Sequence, residues 1–228
     1  MDTTNNQTQP VKNLLVQRAE AAERSGDASQ FSAVDLDAYD IAEAAITHPK
    51  LVLKYAAQHL SAESLAAAAA AEPRVALARA AQFLSAESIA AAAKAEPWAA
   101  LTYAAKHLSA ESLALAAAAE PHYALEHAAE YLSAKSLAVA AKISPGFALK
   151  FAAKHLSAES LAAVAAAEPG YALVFAAKHL SAESLAAAAA AAEAWAAKKH
   201  LTPELLKQVQ AALVATNVAT KKPKSPGP

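Results

Sequence analysis

A near-identical hexapeptide, LSAESL, returns every 24 residues, starting at Leu60, Leu84, Leu108, Leu132, Leu156 and Leu180. Ile89 closes the second copy and Lys135 stands inside the fourth. A proline keeps the same interval: Pro49, Pro73, Pro97, Pro121, Pro145 and Pro169. A fixed period of this size marks a stacked repeat architecture. A unit this short cannot bury its apolar face alone, so each must lean on its neighbours. The period therefore constrains the fold before any local propensity is weighed.

Within a unit the residues predict two short helices. Ser61 is a good N-cap, because its side-chain oxygen can accept from an orphan N–H of the first turn. Glu63 places negative charge near the positive end of the helix dipole. The run from Ala62 to about Ala71 has the highest helix propensity available. Pro73 ends it, since proline disfavours the α conformation in the residue before it. The same proline suits the first turn of the next helix, where its missing N–H costs nothing. That second helix is predicted from Pro73 to about Phe83, with Leu84 and Ser85 turning the chain into the next unit. We call the alanine-rich element B and the proline-started element A.

Read at 100° per residue, A separates into stripes. Positions four and eleven after each proline are leucine, Leu53 and Leu60 in the first unit, and with the alanines at seven and eight they form the predicted inward stripe. Positions one, five and nine are mostly polar, as at Lys50, Lys54 and Gln58, and are predicted to face solvent. Positions two, six and ten carry Tyr55, Arg79, Tyr103, Tyr123, His127, Phe147, Phe151, Tyr171 and Phe175, among others. Trp98 and His122, one after their prolines, sit at the edge of this set. These eleven residues are the candidate binding face. Two readings stay open for them: lateral packing between successive A elements, or an extended surface of the kind on which repeat proteins bind. The outward positions of B are mainly Glu63 and its equivalents, alanine, and an occasional lysine such as Lys94 or Lys142.

The array diverges at both ends. Residues 1–10 are expected to be disordered, and 11–35 to hold a capping helix, stopped at Gly26, and a loop. The repeat array itself is placed at 36–195, a C-terminal cap at 196–219 and a Lys/Pro tail at 220–228. Upstream, Asp37 to Ile41 occupies the hexapeptide register. Downstream, Glu193 replaces the next expected proline, yet Trp195 keeps the aromatic place. Residues 1–50 hold four basic and eight acidic side chains, and 196–228 hold six lysines and one glutamate. Opposite charge at the two ends could favour head-to-tail contact between copies, which propagates unless it closes.

Composition bounds the chemistry. The chain has 228 residues, a formal charge of −1 and no cysteine, which removes disulfides, thiol catalysis and cysteine-based zinc sites. The N-terminus shows neither the basic nor the apolar region of a secretory signal. No apolar run is long enough to span a bilayer. A cytoplasmic setting is the expectation. His59, His107, His155 and His179 share one repeat position, where with the neighbouring lysines they complement the negative end of A. A spacing of roughly 8–10 Å between packed helices is wide for a shared zinc. Neither metal nor cofactor is implied. No serine is singled out by an activating histidine, and no Gly-rich phosphate loop exists among the four glycines. The one clear break in the repeat, Lys135 with Ile143-Ser-Pro-Gly146, reads as drift at a turn. The interrupted ladder Lys106, Lys154, Lys178 falls short of a phosphate-neutralising stripe, which argues against nucleic acid.

The units VLKYAAQHL (52–60), ALEHAAEYL (124–132) and ALKFAAKHL (148–156) resemble an uncharacterised microbial family of 24-residue helical repeats with A-L-x-Y-A-x-x-x-L units. The resemblance covers about residues 36–195. HLTPELL and the period are also similar to the leucine-rich-repeat variant family, which pairs an α-helix with a 3₁₀-helix, although its Asp-Pro and Val-Arg pattern is missing here. Both resemblances imply an α-solenoid and neither supplies functional residues. The expectation is thus an all-α fold, an α-solenoid of about seven helical-hairpin repeats with capping helices. Its expected role is non-enzymatic: a protein-binding scaffold using the A face, with a partner that is another protein or a second copy. End-to-end self-assembly is the alternative, and nucleic-acid binding a weaker one.

Overall fold

The computed structural model describes residues 14–25, 38–198 and 203–221. The expected disordered start, Gly26 and the loop after it, and residues 222–228 of the expected tail lie outside these. The fold is all-α: every regular element among the described residues is helical. By packing, the chain divides into two compact units, Met1–Ser112 and Leu113–Pro228.

The first unit opens with the helix Leu14–Ser25, followed by Ala38–Thr47, which stands where the divergent first B was expected. The B helices then come at the repeat interval: Ala62–Ala71, Ala86–Ala95, Ala110–Ala119, Ala134–Ile143 and Ala158–Ala167. Each begins on the predicted serine. Ser61 Oγ accepts from the Ser64 N–H at 3.1 Å, and the same bond forms in all six LSAESL copies. The second serine, expected only as a starter of the alanine-rich helix, adds a further contact. Its hydroxyl lies 2.9 to 3.0 Å from the capping hydroxyl, so the two brace each other.

One residue joins B to A. Glu72 donates its N–H to Ala68 O, ending B, and its carbonyl accepts from Ala76 N–H, opening A. Its backbone, φ −132 and ψ 65, is recovered closely at Glu96, Glu120, Ser144 and Glu168. A following proline disfavours the α conformation at this residue, and these angles lie outside the α region. Where the proline is missing the joint is missing too: the last B runs on without a break as Ala182–Lys198.

A is not the single helix predicted. The α-helix Pro73–Arg79 stops at Ala80, whose φ −124 and ψ 3 leave the helical region, and a 3₁₀ turn, Ala81–Phe83, follows. Ala56, Ala104, Ala128, Ala152 and Ala176 adopt nearly the same angles. In the Pro97, Pro145 and Pro169 units the stretch before this break is wound as a π turn. We therefore call A an arm. No glycine or proline stands at the break, and alanine has the highest helix propensity. The cause is tertiary. All six of these alanines are fully buried, and the turn after them aims the chain into the next B cap.

Within each unit, A arms pack on A arms and B helices on B helices. Leu53, Leu77, Leu101, Leu125 and Leu149 are at most 1% exposed and form the spine of the arms. Leu60 and its equivalents are half-buried at the arm ends. Leu65, Ile89, Leu113, Leu137 and Leu161 are the large buried residues of the B helices, and alanines fill most of the remaining core positions, so the helices nest closely. A final helix, Pro203–Lys221, contributes Val209 to the core of the second unit. It extends two residues into the segment assigned to the tail.

Candidate interaction surface on the A arms

Two alternations in the arm create the surface. Positions three, four, seven and eight turn inward, while nine, and mostly five, turn outward. Positions two and six lie on the flank between. Phe147, at position two, touches His122 of the neighbouring arm and still reaches solvent. None of the eleven candidate residues is buried: Tyr55, Trp98, Tyr123, Phe151, Tyr171 and Phe175 are half-buried, while Arg79, Tyr103, His122, His127 and Phe147 are exposed. Lateral packing and exposure thus coexist at these positions.

The candidates divide between the units. In the first, Tyr55 carries Lys54 over its ring, with Nζ 4.8 Å from the centroid. Lys54 also lies 3.3 Å from Glu23, tying the N-terminal helix to the first arm. Hydrogen bonding to Tyr55 is the main cause holding the Lys54 ammonium above its usual range; partial burial opposes this and Glu23 adds to it. Trp98 donates its indole N–H to Glu96 at 2.8 Å, meets Tyr103 edge-on at 6.2 Å, and lies under the Arg74 guanidinium at 4.9 Å.

In the second unit the rings form a series. Tyr123 stacks on His127 at 6.0 Å, and His122 reaches the next arm to contact Phe147 at 5.5 Å. Phe147 leans on Phe151 at 5.7 Å, and Tyr171 on Phe175 at 5.6 Å. Tyr171 meets Trp195 edge-on at 5.8 Å. At the arm end, the Glu130 carboxylate beside Tyr131 raises its phenol above the ordinary range, chiefly through a side-chain hydrogen bond.

Position one corrects the solvent-stripe reading. Lys50, Arg74 and His122 are exposed, but Trp98 and Gly146 are half-buried and Gly170 is buried. In the second unit, position one faces the aromatic of the following repeat, and at Gly170 the missing side chain leaves the space that the large ring fills. His122 meets Phe147, Gly146 underlies Tyr171, and Gly170 underlies Trp195. Gly146 lies in the helix Pro145–Phe147, where an added methyl would meet the Tyr171 ring at ordinary contact distance. Trp195, only 8% exposed, donates its indole N–H to Glu168 at 2.8 Å, as Trp98 does to Glu96. The sequence signal was present as a glycine one residue after a proline, with a large ring 25 residues later.

The B side carries apolar exceptions to its mainly glutamate, alanine and lysine outward positions: Leu115, Val139 and Ile143 stand outward at 67%, 49% and 58% exposure. Shallow grooves run between neighbouring B helices. One of about 650 Å³ lies between Ala62–Ala71 and Ala86–Ala95, and one of about 630 Å³ between Ala134–Ile143 and Ala158–Ala167. Their walls are mostly alanine, with glutamate and serine from the helix starts.

The four ladder histidines are exposed, or half-buried in the case of His155. His59 has Gln58 at 3.0 Å. Among the described residues no three His, Asp or Glu side chains converge as a metal site, and no helix is long and apolar enough to cross a membrane. The arrangement offers exposed and half-exposed rings with charged side chains beside them. Comparison of the chain with models of known families, with curated proteins and with solved structures gave no match.

Proposed function

We propose that this chain is a non-enzymatic protein-binding scaffold that presents the A arms to its partner. One observation carries the reading. The rings from His122 to Phe175 touch one another within and between arms, yet none is buried. Mutual contact fixes their rotamers beforehand, so little side-chain entropy is lost when a partner covers them. Tyrosine and tryptophan are also enriched among the residues that dominate binding energy. The nearly uniform Leu and Ala positions supply the framework, and the variable flank supplies the specificity.

The test is site-specific photo-cross-linking in the native source. A photoreactive residue replaces Phe147 on the A arm or, as a comparator, Ala187, which is exposed on the B side. The expected result is a discrete protein adduct from position 147 and none from 187. Adducts from 187 alone would move the binding surface to the B helices and overturn the reading. With the photoreactive residue kept at 147, Phe151→Ser should sharply reduce the adduct while the helical circular dichroism is kept.

A further inference from the structure

The outward charges reverse sign between two neighbouring arms of the second unit. Positions five and nine are Glu126 and Glu130 on the Pro121 arm, and Lys150 and Lys154 on the Pro145 arm; all four are exposed. The two arms pack against each other. Glu126 lies 3.9 Å from His127 Nε2, and Lys150 Nζ stands 4.5 Å over the Phe151 ring. Among the described residues neither lysine forms an ion pair. An acidic rung thus stands beside a basic rung, with exposed rings on the flank of both.

From this juxtaposition we infer that the chain forms a two-fold dimer through the A face of its second unit. The inference rests on the reading of that face as protein-binding, and names its partner as a second copy. The geometry follows from symmetry. A two-fold axis parallel to the two arms, and between them, lays the Pro121 arm of one copy over the Pro145 arm of the other, running in the same direction. Position five then meets position five, and nine meets nine. Glu126 and Glu130 of each copy oppose Lys150 and Lys154 of the other, and the set occurs twice, as an isologous contact requires. The rings at Tyr123 and His127 face those at Phe147 and Phe151. A polyanion would gain the lysines but be repelled by the glutamates, so a nucleic acid suits this surface less well than a second copy does. A contact of two arms a side falls at the small end of specific interfaces, so the dimer is weak and salt-sensitive.

Sedimentation equilibrium of the full chain, from micromolar to millimolar and at low and high salt, tests this. Wild type is expected to dimerise at low salt and to dissociate more as salt rises. Glu126→Lys with Glu130→Lys makes both rungs basic, and Lys150→Glu with Lys154→Glu makes both acidic. Each variant alone is expected to dimerise about tenfold or more weakly, and an equimolar mixture of the two to recover dimer. A wild type that stays monomeric throughout overturns the inference, as does association undiminished in both variants or a mixture that fails to recover. The photo-cross-linker at position 147 separates this from the parent reading. A monomeric wild type that still gives an adduct with a different protein there loses the dimer and keeps the face. A monomer with no adduct loses both.

Discussion

Gly170→Ala offers a test in which two known effects oppose each other and the structure decides the sign. Gly170 lies in the helix Pro169–Tyr171 with an ordinary helical environment, and so does Gly146 one repeat earlier. Alanine is favoured over glycine in a helix by about 0.8–1 kcal/mol, and it also restricts the unfolded chain. Both positions would gain by that alone. At Gly146 an added methyl meets the Tyr171 ring at 3.9 Å, an ordinary contact. At Gly170 it would stand less than 3.0 Å from three carbons of the Trp195 indole. That indole is buried, edge-on to Tyr171 and bonded to Glu168, so it has little room to retreat. Overpacking of this kind costs about 1–3 kcal/mol. Displacing the ring would also weaken its aromatic contact, worth about 0.5–1.5 kcal/mol, and its hydrogen bond, worth a similar amount. The methyl clash wins, and Gly170→Ala is expected to destabilise the second unit by about 2 kcal/mol net. Gly146→Ala is expected to stabilise it by about 0.4–1 kcal/mol. The assay is urea unfolding followed by Trp195 fluorescence in a Trp98→Phe background. With a urea slope of about 1–3 kcal/mol/M, the two variants should move the midpoint in opposite directions. In a Trp195→Ala background, followed by helical circular dichroism, the clash is gone and Gly170→Ala should become stabilising. If Gly170→Ala stabilises the intact protein as Gly146→Ala does, the complementarity of glycine and ring across repeats is refuted.

Other expectations follow from the same packing. Leu149→Ala should cost about 2–5 kcal/mol because the side chain is fully buried, whereas Val139→Ala, half exposed on B, should stay within about 0.5 kcal/mol; paired thermal melts would distinguish them. Ser157→Ala should cost about 1 kcal/mol by removing the cap of Ala158–Ala167, with Ser157→Asp retaining most of it, as read by denaturant midpoints. Ala152→Val should cost about 1–3 kcal/mol although valine is larger and more apolar, since the alanine at the arm break has no exposed surface and no spare room; a stability equal to wild type would show that the break is held by something other than space.

Much of the candidate surface was legible at the level of position. Aromatics recur two and six after the prolines, and those positions do fall on the flank of the arm. Whether a flank side chain is covered depends on the distance to the next arm, which a periodicity cannot supply. Position one shows the limit clearly. Its polar average across the repeats hid a pairwise relation, in which Gly170 is small because Trp195 is large. That relation links residues in different repeats and is lost when the repeats are superposed. The outward leucine, valine and isoleucine of B were overlooked for the same reason, since alanine dominates the consensus.

The helical class, the serine caps and, wherever the proline stands, the length of the B helix and the joint that ends it were all readable from the chain. All of these are local: they depend on residues within a turn or two of one another. The continuous helix Ala182–Lys198 follows the same local rule, because the proline is missing there. Tertiary structure alone decided the break at Ala56, Ala80, Ala104, Ala128, Ala152 and Ala176. Alanine at those places favours continuing the helix by propensity. A continuous arm would carry its end away from the next capping serine and lift the inner leucines off the neighbouring arm. Burial of that leucine spine outweighs the small propensity of a few alanines, and so the chain turns where no residue in the turn instructs it to.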